Sequence, residues 1–345
     1  MAIVIKNFKK SKYKVAFDTL NGTLIRKGYG DSEPFMKQEG PELLDVSITN
    51  YCDKGCSYCY KKSYSSGIHM PIENYKKLLY QAKTAKVIQI AIGGGNPNQH
   101  PDFIEILRIT REYGIVPSYT SNGIGLTPDI IEATKKYCGA VAISLHKPYN
   151  IAYQAIDKCL NAGIKTNIHF ILSNSSINEA IAFLRDPLLL PKCLNAIIFL
   201  NYKPVEENDT NLLNLADQEK INTFFNLVNI NKYPFKVGFD SCLISYILKY
   251  VEDFEIAYLD YCEAGRFSAY ISETMKMLPC SFMESKFIGA DILQKDIEEI
   301  WNNEHLFLQM RNNINTLKDR CKLCKHHVNC CGGCNFYDIN DISCE

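Results

Sequence analysis

The chain has 345 residues, enough for one large domain or two smaller ones with a sizeable buried core. Its 38 Lys and Arg residues balance 38 Asp and Glu residues, so no net charge would attract it to nucleic acid or to an anionic membrane. The first residues are basic without a sustained apolar stretch, and no segment has the length and apolar character of a membrane span. We therefore expect a cytoplasmic protein without a nucleic-acid or membrane partner.

The first 40 residues are polar, with one hairpin signal at Asn21-Gly22 between two short strand-like runs. From Glu42 onward, short apolar runs alternate with segments of helical period. The apolar runs predict six strands, at 43–49, 87–92, 115–120, 141–145, 164–172 and 196–200. Helices are predicted after the second strand, at 127–137, 149–161 and 176–185, and in a later segment that carries Ile221, Phe224, Phe225 and Val228 at helical spacing.

Six strand–helix units with short apolar strands indicate a parallel sheet, because crossover helices cover both of its faces. Six units are too few to close an eight-stranded barrel, so the predicted fold class is α/β, a partial (β/α)6 barrel. The alternation stops after 235–240, where the density of cysteines rises. We therefore predict a hairpin extension at 1–40, the partial barrel at 41–238 and a cysteine-rich domain at 239–345.

Three cysteines, Cys52, Cys56 and Cys59, follow the first predicted strand with the spacing C-x3-C-x2-C, and Tyr58 precedes the last of them. Three thiolates can hold three irons of a 4Fe–4S cluster and leave the fourth iron open for another ligand. A structural zinc ion takes four ligands instead, and His69, ten residues further on, is not at zinc-knuckle spacing. The motif therefore predicts an iron–sulfur cluster at the carboxyl end of a strand, where parallel α/β folds carry their chemistry.

The chain has 15 cysteines, a number that would indicate disulfides in a small secreted protein. Without a secretion signal, their clustering favours metal ligation. In the tail, CKLCKHHVNCCGGC has the spacing C-x2-C-x5-C-x3-C, and its two glycines allow a tight turn. Eight thiols of this region suffice for two fully ligated 4Fe–4S clusters, and two zinc ribbons fit the same count. Three other cysteines, Cys138, Cys159 and Cys193, are expected in the core.

The first motif resembles the signature of radical S-adenosylmethionine (SAM) enzymes, and the tail resembles the SPASM extension of that superfamily; together they cover residues 41–345. The resemblance implies SAM and three 4Fe–4S clusters as cofactors. Cys331 is left over, and it would replace Cys330 if the loop slips by one residue. The implied ligands are Cys52, Cys56 and Cys59 for the SAM-binding cluster, Cys242, Cys262, Cys280 and Cys334 for a first auxiliary cluster, and Cys321, Cys324, Cys330 and Cys344 for a second.

The resemblance also implies contacts with SAM. Asn96 stands where the family motif G-G-E-P has a glutamate, so a neutral hydrogen bond replaces a charge-assisted one. Each contact has a structural alternative: the glycines form a strand-to-helix turn, Asn122 and Ser144 cap helices, and His169 is a core histidine. The residues implied around SAM are Tyr58, Gly94, Gly95, Asn96, Pro97, Asn122, Ser144, His169 and Leu172.

The implied activity is that of an anaerobic oxidoreductase that cleaves SAM reductively to a 5′-deoxyadenosyl radical, which abstracts hydrogen from a substrate. The first hypothesis is a ribosomally synthesised peptide substrate that receives a cross-link, a thioether, an epimerisation or an oxidation. Its expected partners are a flavodoxin or ferredoxin-type reductant and a separate leader-peptide-binding protein, because residues 1–40 are short for a winged-helix domain. The alternatives are a sugar or cyclitol dehydrogenase or epimerase, and a non-catalytic iron–sulfur or zinc protein. Asp240 and Cys331 are the candidate catalytic groups.

Overall fold

The computed structural model describes residues 3–20, 22–30, 34–206, 208–230, 232–255, 259–316, 321–337 and 339–340. The chain forms two compact units that are interleaved along the sequence. The first comprises Met1–Ala142, Asn161–Lys165 and Ala264–Arg311, and the second comprises Ile143–Leu160, Thr166–Glu263 and Asn312–Glu345. The domain limits expected after residues 40 and 238 stay a prediction.

Strands and helices alternate through the middle of the chain, as the sequence predicts. In chain order the strands and α-helices are β1 (Ile3–Phe8), β2 (Tyr13–Asp18), β3 (Leu24–Gly28), β4 (Leu43–Thr49), α1 (Ile72–Thr84), β5 (Gln89–Gly94), α2 (Phe103–Glu112), β6 (Val116–Ser121), α3 (Pro128–Tyr137), β7 (Val141–Ser144), α4 (Asn150–Asn161), β8 (Thr166–Leu172), α5 (Ile177–Arg185), β9 (Ala196–Asn201), α6 (Gln218–Ile230), β10 (Lys236–Phe239), α7 (Ile244–Tyr250), β11 (Ser268–Ile271), β12 (Lys276–Leu278), β13 (Ala290–Asp291), α8 (Ile297–Asn303), α9 (His305–Asn315) and α10 (His327–Cys330).

The first unit begins with a small antiparallel sheet in the order β1-β2-β3. The predicted hairpin corresponds to β2 and β3; Asn21 lies outside the described residues, and Gly22 has a φ of 77°. The sequence signal indicated two strands, and β1 adds a third. The buried face of the sheet is part of one apolar cluster, which consists of Phe8, Tyr13, Val15 and Phe17 from the sheet together with Ile88, Val116 and Phe267.

The larger sheet of the first unit has the order β6-β5-β4-β11-β12-β13, with parallel pairing from β6 to β11 and antiparallel pairing beyond it. The last four residues of β4, Val46–Thr49, are all buried, as expected of a central strand that is covered on both faces. Helix α3 begins at Pro128, and the Thr127 side chain accepts a hydrogen bond from Ile130 N. Because β4, β5 and β6 pair in parallel, their carboxyl ends lie at the same edge of the sheet.

In the second unit the strand order is β7-β8-β9-β10, and β8, β9 and β10 pair in parallel. The predicted α/β fold with a mostly parallel sheet is confirmed, and the six predicted strands match β4 to β9 within two residues at each end. The sequence did not predict α1, and it did not predict that β11 pairs with β4. Among the described residues, no helix combines the length and apolar character that crossing a bilayer needs.

Candidate functional site

The cysteine loop, residues 50–70 between β4 and α1, is closed at its base. A backbone hydrogen bond from Met70 N to Ile48 O (2.8 Å) joins the two ends of the loop. His69 belongs to this base, because its Nδ1 lies 2.8 Å from Thr49 Oγ1. Burial lowers the pKa of His69, and the charge of Asp102 opposes this shift. His69 is therefore engaged in closing the loop.

The three thiols of the loop are half-buried and take part in no disulfide. Cys59 N donates to Cys56 O (3.1 Å), so the segment turns tightly between these cysteines. Burial raises the pKa of Cys56, and a hydrogen bond with Tyr58 opposes this shift. In the part of the chain that the structure describes, no three Cys, His, Asp or Glu side chains lie close enough together to hold a single metal ion. A 4Fe–4S cluster does not require this, because each of its thiolate ligands binds a different iron. The donor set fits such a cluster.

The end of β5 lies directly against the cysteine loop. A Cβ on Gly95 would lie 2.0 Å from Tyr51 O, and a Cβ on Gly94, whose φ is 111°, would lie 2.1 Å from Thr49 O. Gly95 N donates to Thr49 O (2.8 Å) and Asn96 N donates to Tyr51 O (2.9 Å). The glycines therefore let the backbone after β5 contact the loop that carries the thiols.

Asn96 is fully buried, and its side chain is hydrogen-bonded within the first unit. Its Oδ1 accepts from Asn122 N (3.2 Å) and lies 3.2 Å from Ser121 Oγ, and its Nδ2 donates to Ile124 O (3.0 Å). Asn122 in turn donates from Nδ2 to Cys52 Sγ (3.4 Å). Thus the structure brings together Asn96, Asn122 and the first cysteine of the motif.

The other residues implied around SAM lie at strand ends or on β8. Pro97 is buried and begins a short 3-10 turn, Pro97–Gln99. Ser144 ends β7, and Leu172, which is buried, ends β8. Burial lowers the pKa of His169 on β8 to about 4, and the charge of Asp240 opposes this shift. The contacts of these residues with SAM stay a prediction.

In the second unit, two of the predicted auxiliary ligands lie beside a buried ion pair. The thiols of Cys242 and Cys334 are hydrogen-bonded to each other, which lowers the pKa of Cys334 and raises that of Cys242. Lys203 Nζ donates to Asp240 Oδ2 and to Asn201 O, both at 2.7 Å. Burial lowers the pKa of Lys203, but Asp240 and the two thiols raise it above its ordinary value. Asp240, a predicted catalytic candidate, is thus held in an ion pair.

The tail cysteines have distinct environments. Cys330 ends α10 and packs with Ile244 and Leu248 of α7. Cys331 has a left-handed φ of 48°, and its half-buried thiol lies 3.5 Å from Val328 O. Cys344 lies outside the described residues. The four remaining predicted ligands of the auxiliary clusters, Cys262, Cys280, Cys321 and Cys324, are all half-buried, and none of them is in a disulfide.

One of the three expected core cysteines is placed differently. Cys159 is buried in α4 and Cys138 is half-buried, but Cys193 is exposed. Cys193 has a φ of 64° in the connection between α5 and β9, so the apolar residues around it do not form a continuous helix or strand face. The expectation that Cys193 is a core residue was wrong.

The structure contains a buried ionic cluster that sequence analysis did not predict, which we call the Lys61 cluster: Lys61, Tyr270, Glu273 and Glu284. Lys61 follows the last loop cysteine by two residues, and its Nζ contacts Tyr270 Oη (2.7 Å), Glu273 Oε2 (3.1 Å) and Glu284. The Lys61 side chain is 3% exposed and that of Glu273 is 9% exposed. This cluster ties the cysteine loop to the segment from β11 to the turn after Cys280, a long-range contact that no local pattern reports.

Comparison with known proteins agrees with this geometry. The Radical SAM superfamily model matches residues 46–186, and the SPASM model, an iron–sulfur cluster-binding domain, matches residues 262–330. The chain is a radical SAM enzyme with a SPASM domain. The expectations of SAM and iron–sulfur clusters as its cofactors are thereby confirmed.

Curated relatives of this radical SAM enzyme include the mycofactocin maturase MftC of Mycolicibacterium smegmatis, which is 23% identical and aligned over 86% of this chain and 78% of that protein. The AdoMet-dependent heme synthase of Methanosarcina barkeri is also 23% identical, over 85% of this chain and 90% of that protein. The crystal structure of Streptococcus suis SuiB bound to S-adenosylmethionine has a TM-score of 0.71 at 16% identity and covers 96% of this chain and 94% of its own. At this identity the structural likeness shows the fold.

Proposed function

We propose that this enzyme cleaves SAM reductively and uses the resulting radical to modify a ribosomally synthesised peptide. When bound, the cluster and SAM supply one-electron cleavage of the sulfonium–C5′ bond, which yields a 5′-deoxyadenosyl radical able to abstract an unactivated hydrogen. The observation that carries the proposal is the closed cysteine loop with three half-buried thiols, against which the glycines after β5 pack. The chain's part is to hold, orient and shield the reacting groups.

Within the first unit, Cys52, Cys56 and Cys59 would hold three irons. The polar atoms of the Asn96 side chain are bonded to protein groups, so we assign the contact with the amino-acid part of SAM to backbone carbonyls of Gly94 and Gly95. Further proposed contacts of SAM are Tyr58, Pro97, Asn122, Ser144, His169 and Leu172.

The proposal includes two auxiliary 4Fe–4S clusters. Eight cysteines would ligate them, and the hydrogen bond between the Cys242 and Cys334 thiols supports placing these two at the same cluster. The proposed ligands are Cys242, Cys262, Cys280 and Cys334 for the first, and Cys321, Cys324, Cys330 and Cys344 for the second. A flavodoxin or ferredoxin-type protein is the proposed reductant, a separate protein is proposed to bind the leader peptide, and the cytoplasmic location stays a prediction.

Two relatives support a peptide substrate: MftC is named a maturase, and SuiB has been crystallised with the precursor peptide SuiA, with a TM-score of 0.70 to this chain. One relative is named for haem synthesis, so similarity along most of the chain does not by itself identify a peptide as the substrate. The deciding experiment is anaerobic co-expression with small peptides encoded beside this gene, followed by mass spectrometry. A mass change that needs Cys52, Cys56 and Cys59 supports peptide maturation; unmodified peptides together with a modified sugar or cyclitol would favour the small-molecule alternative.

A further inference from the structure

The turn after β6 presents an amide to the cysteine loop. Asn122 Oδ1 accepts a hydrogen bond from Ile124 N (2.9 Å), and Asn122 Nδ2 donates to Cys52 Sγ (3.4 Å). Because the oxygen is bound to a backbone N–H, rotating the amide by half a turn would place two donors against each other and break both bonds. The nitrogen therefore faces the sulfur.

This turn is itself fixed by two other asparagines. Asn96 Oδ1 accepts from Asn122 N (3.2 Å), and the Nδ2 atoms of Asn96 and Asn98 both donate to Ile124 O, at 3.0 and 2.7 Å. Ser121 Oγ lies 2.6 Å from Asn98 Oδ1. Asn96, Asn98 and Ser121 are buried, so these hydrogen bonds hold the turn without competition from water.

The same contacts give a reason for asparagine at position 96. A glutamate there, the residue usual in the family motif, is one methylene longer and has no N–H to donate to Ile124 O. Its carboxylate would face a buried carbonyl oxygen and repel it. Asparagine at this position therefore suits the turn that carries Asn122.

We propose that Asn122 is a positioning residue of the SAM-binding cluster, which orients Cys52 and raises the reduction potential of the cluster through the hydrogen bond to Cys52 Sγ. A donor at a ligand sulfur stabilises the reduced cluster, which carries one more negative charge than the oxidised one. The inference rests on the proposed function, because that function assigns Cys52 to this cluster.

The test is an EPR-monitored redox titration of the cluster-loaded enzyme without SAM; the signal that changes when SAM is then added identifies the SAM-binding cluster. The main variant is Asn122→Ser, because a serine oxygen can still accept from Ile124 N while its hydroxyl does not reach Cys52. We expect about a tenfold smaller ratio of reduced to oxidised cluster at a fixed potential, a midpoint about 59 mV more negative for one electron. Asn122→Leu should shift the midpoint in the same direction.

The matched control is Asn302→Leu, since Asn302 Nδ2 also joins two segments of the first unit, through Gln38 O and Glu298 O, both at 2.9 Å. An unchanged midpoint in Asn122→Ser, or an equal shift in the control, overturns the inference. A shift seen only after SAM is added also overturns it, because the hydrogen bond to Cys52 would then have no effect of its own on the cluster. A wild-type enzyme with no SAM-responsive signal would overturn the proposed function itself. Asn96→Glu should lower the midpoint as well, and a higher midpoint in that variant would contradict the role given to the turn.

Discussion

Removing the ammonium of the Lys61 cluster should destabilise the first unit strongly. Lys61→Met keeps most of the apolar stem but leaves the Glu273 carboxylate without its cation, although Ser47 Oγ still donates to it (2.7 Å). Breaking a buried ion pair by removing one partner costs about 3–5 kcal/mol, because the remaining charge stays desolvated. For a unit of this size, that loss lowers the melting temperature by about 6–20 °C.

The matched control is Lys76→Met. Lys76 pairs with Glu73 on the surface of α1, and the two side chains are 45% and 71% exposed. Such a pair contributes about 0–1 kcal/mol, so this variant should melt within about 4 °C of the wild type. Both variants remove one lysine charge, so net charge does not distinguish them.

The assay is thermal unfolding under anaerobic conditions, followed by tryptophan fluorescence. The chain has one tryptophan, Trp301, which is buried in the first unit and donates from Nε1 to Lys37 O (2.6 Å). Its signal therefore reports the unit that contains Lys61. The double variant Lys61→Met/Glu273→Gln should recover part of the loss, because it neutralises the more buried of the two carboxylates that lose their cation. Equal melting temperatures for Lys61→Met and Lys76→Met would refute this reasoning.

Three further predictions concern the loop, a buried carboxyl and the tail. Gly95→Ala should abolish iron uptake on reconstitution, because a Cβ at this position would lie 2.0 Å from a backbone oxygen of the cysteine loop. The control Gly93→Ala should retain the iron, because its Cβ would lie 3.7 Å from a side-chain oxygen. Equal iron contents in the two variants would be inconsistent with the close packing. Burial raises the pKa of Asp45 to about 6, so the stability it contributes is present below its unfolded pKa of about 3.9 and is lost as pH rises through 6. Asp45→Asn should therefore gain melting temperature relative to wild type between about pH 4 and pH 7, and a pH-independent difference would argue against the shift. Cys330→Ser should lose about four irons per chain, whereas Cys331→Ser should keep them all; the reverse result would assign the ligand to Cys331.

The elements that the sequence predicted are those whose signal is local. Strand β4 was predicted with its observed limits because a short apolar run leads directly into the cysteine motif, and a buried parallel strand requires such a run. Helix α1 was missed because charged and polar residues dilute its apolar face, Tyr75, Leu78, Leu79 and Ala82. The strand signal of β11 is four residues long, and its pairing with β4 depends on residues more than 200 positions away.

For the functional site too, the features with a local sequence signal were predicted and those that depend on long-range contacts were not. The spacing of the motif predicted the three thiols, because it can be read from neighbouring residues. The family resemblance implied the glycines after β5 as contacts of SAM, and it did not predict that they pack against the cysteine loop. The inward orientation of Asn96 depends on Ile124, and the surroundings of Lys61 depend on Glu273, so neither could be predicted from neighbours in sequence. A charged side chain beside a motif can be exposed to solvent or buried against an oppositely charged partner, and only the fold determines which of the two occurs.

The central claim is that the cysteine loop holds a cluster that cleaves SAM. Its most direct test is anaerobic reconstitution with iron and sulfide, followed by incubation with SAM and dithionite and quantification of 5′-deoxyadenosine. We predict about twelve irons per chain and 5′-deoxyadenosine formation that is lost in a variant with Cys52, Cys56 and Cys59 changed to alanine. Protein that takes up zinc instead of iron, or an iron-loaded wild type that forms no 5′-deoxyadenosine, would contradict the account.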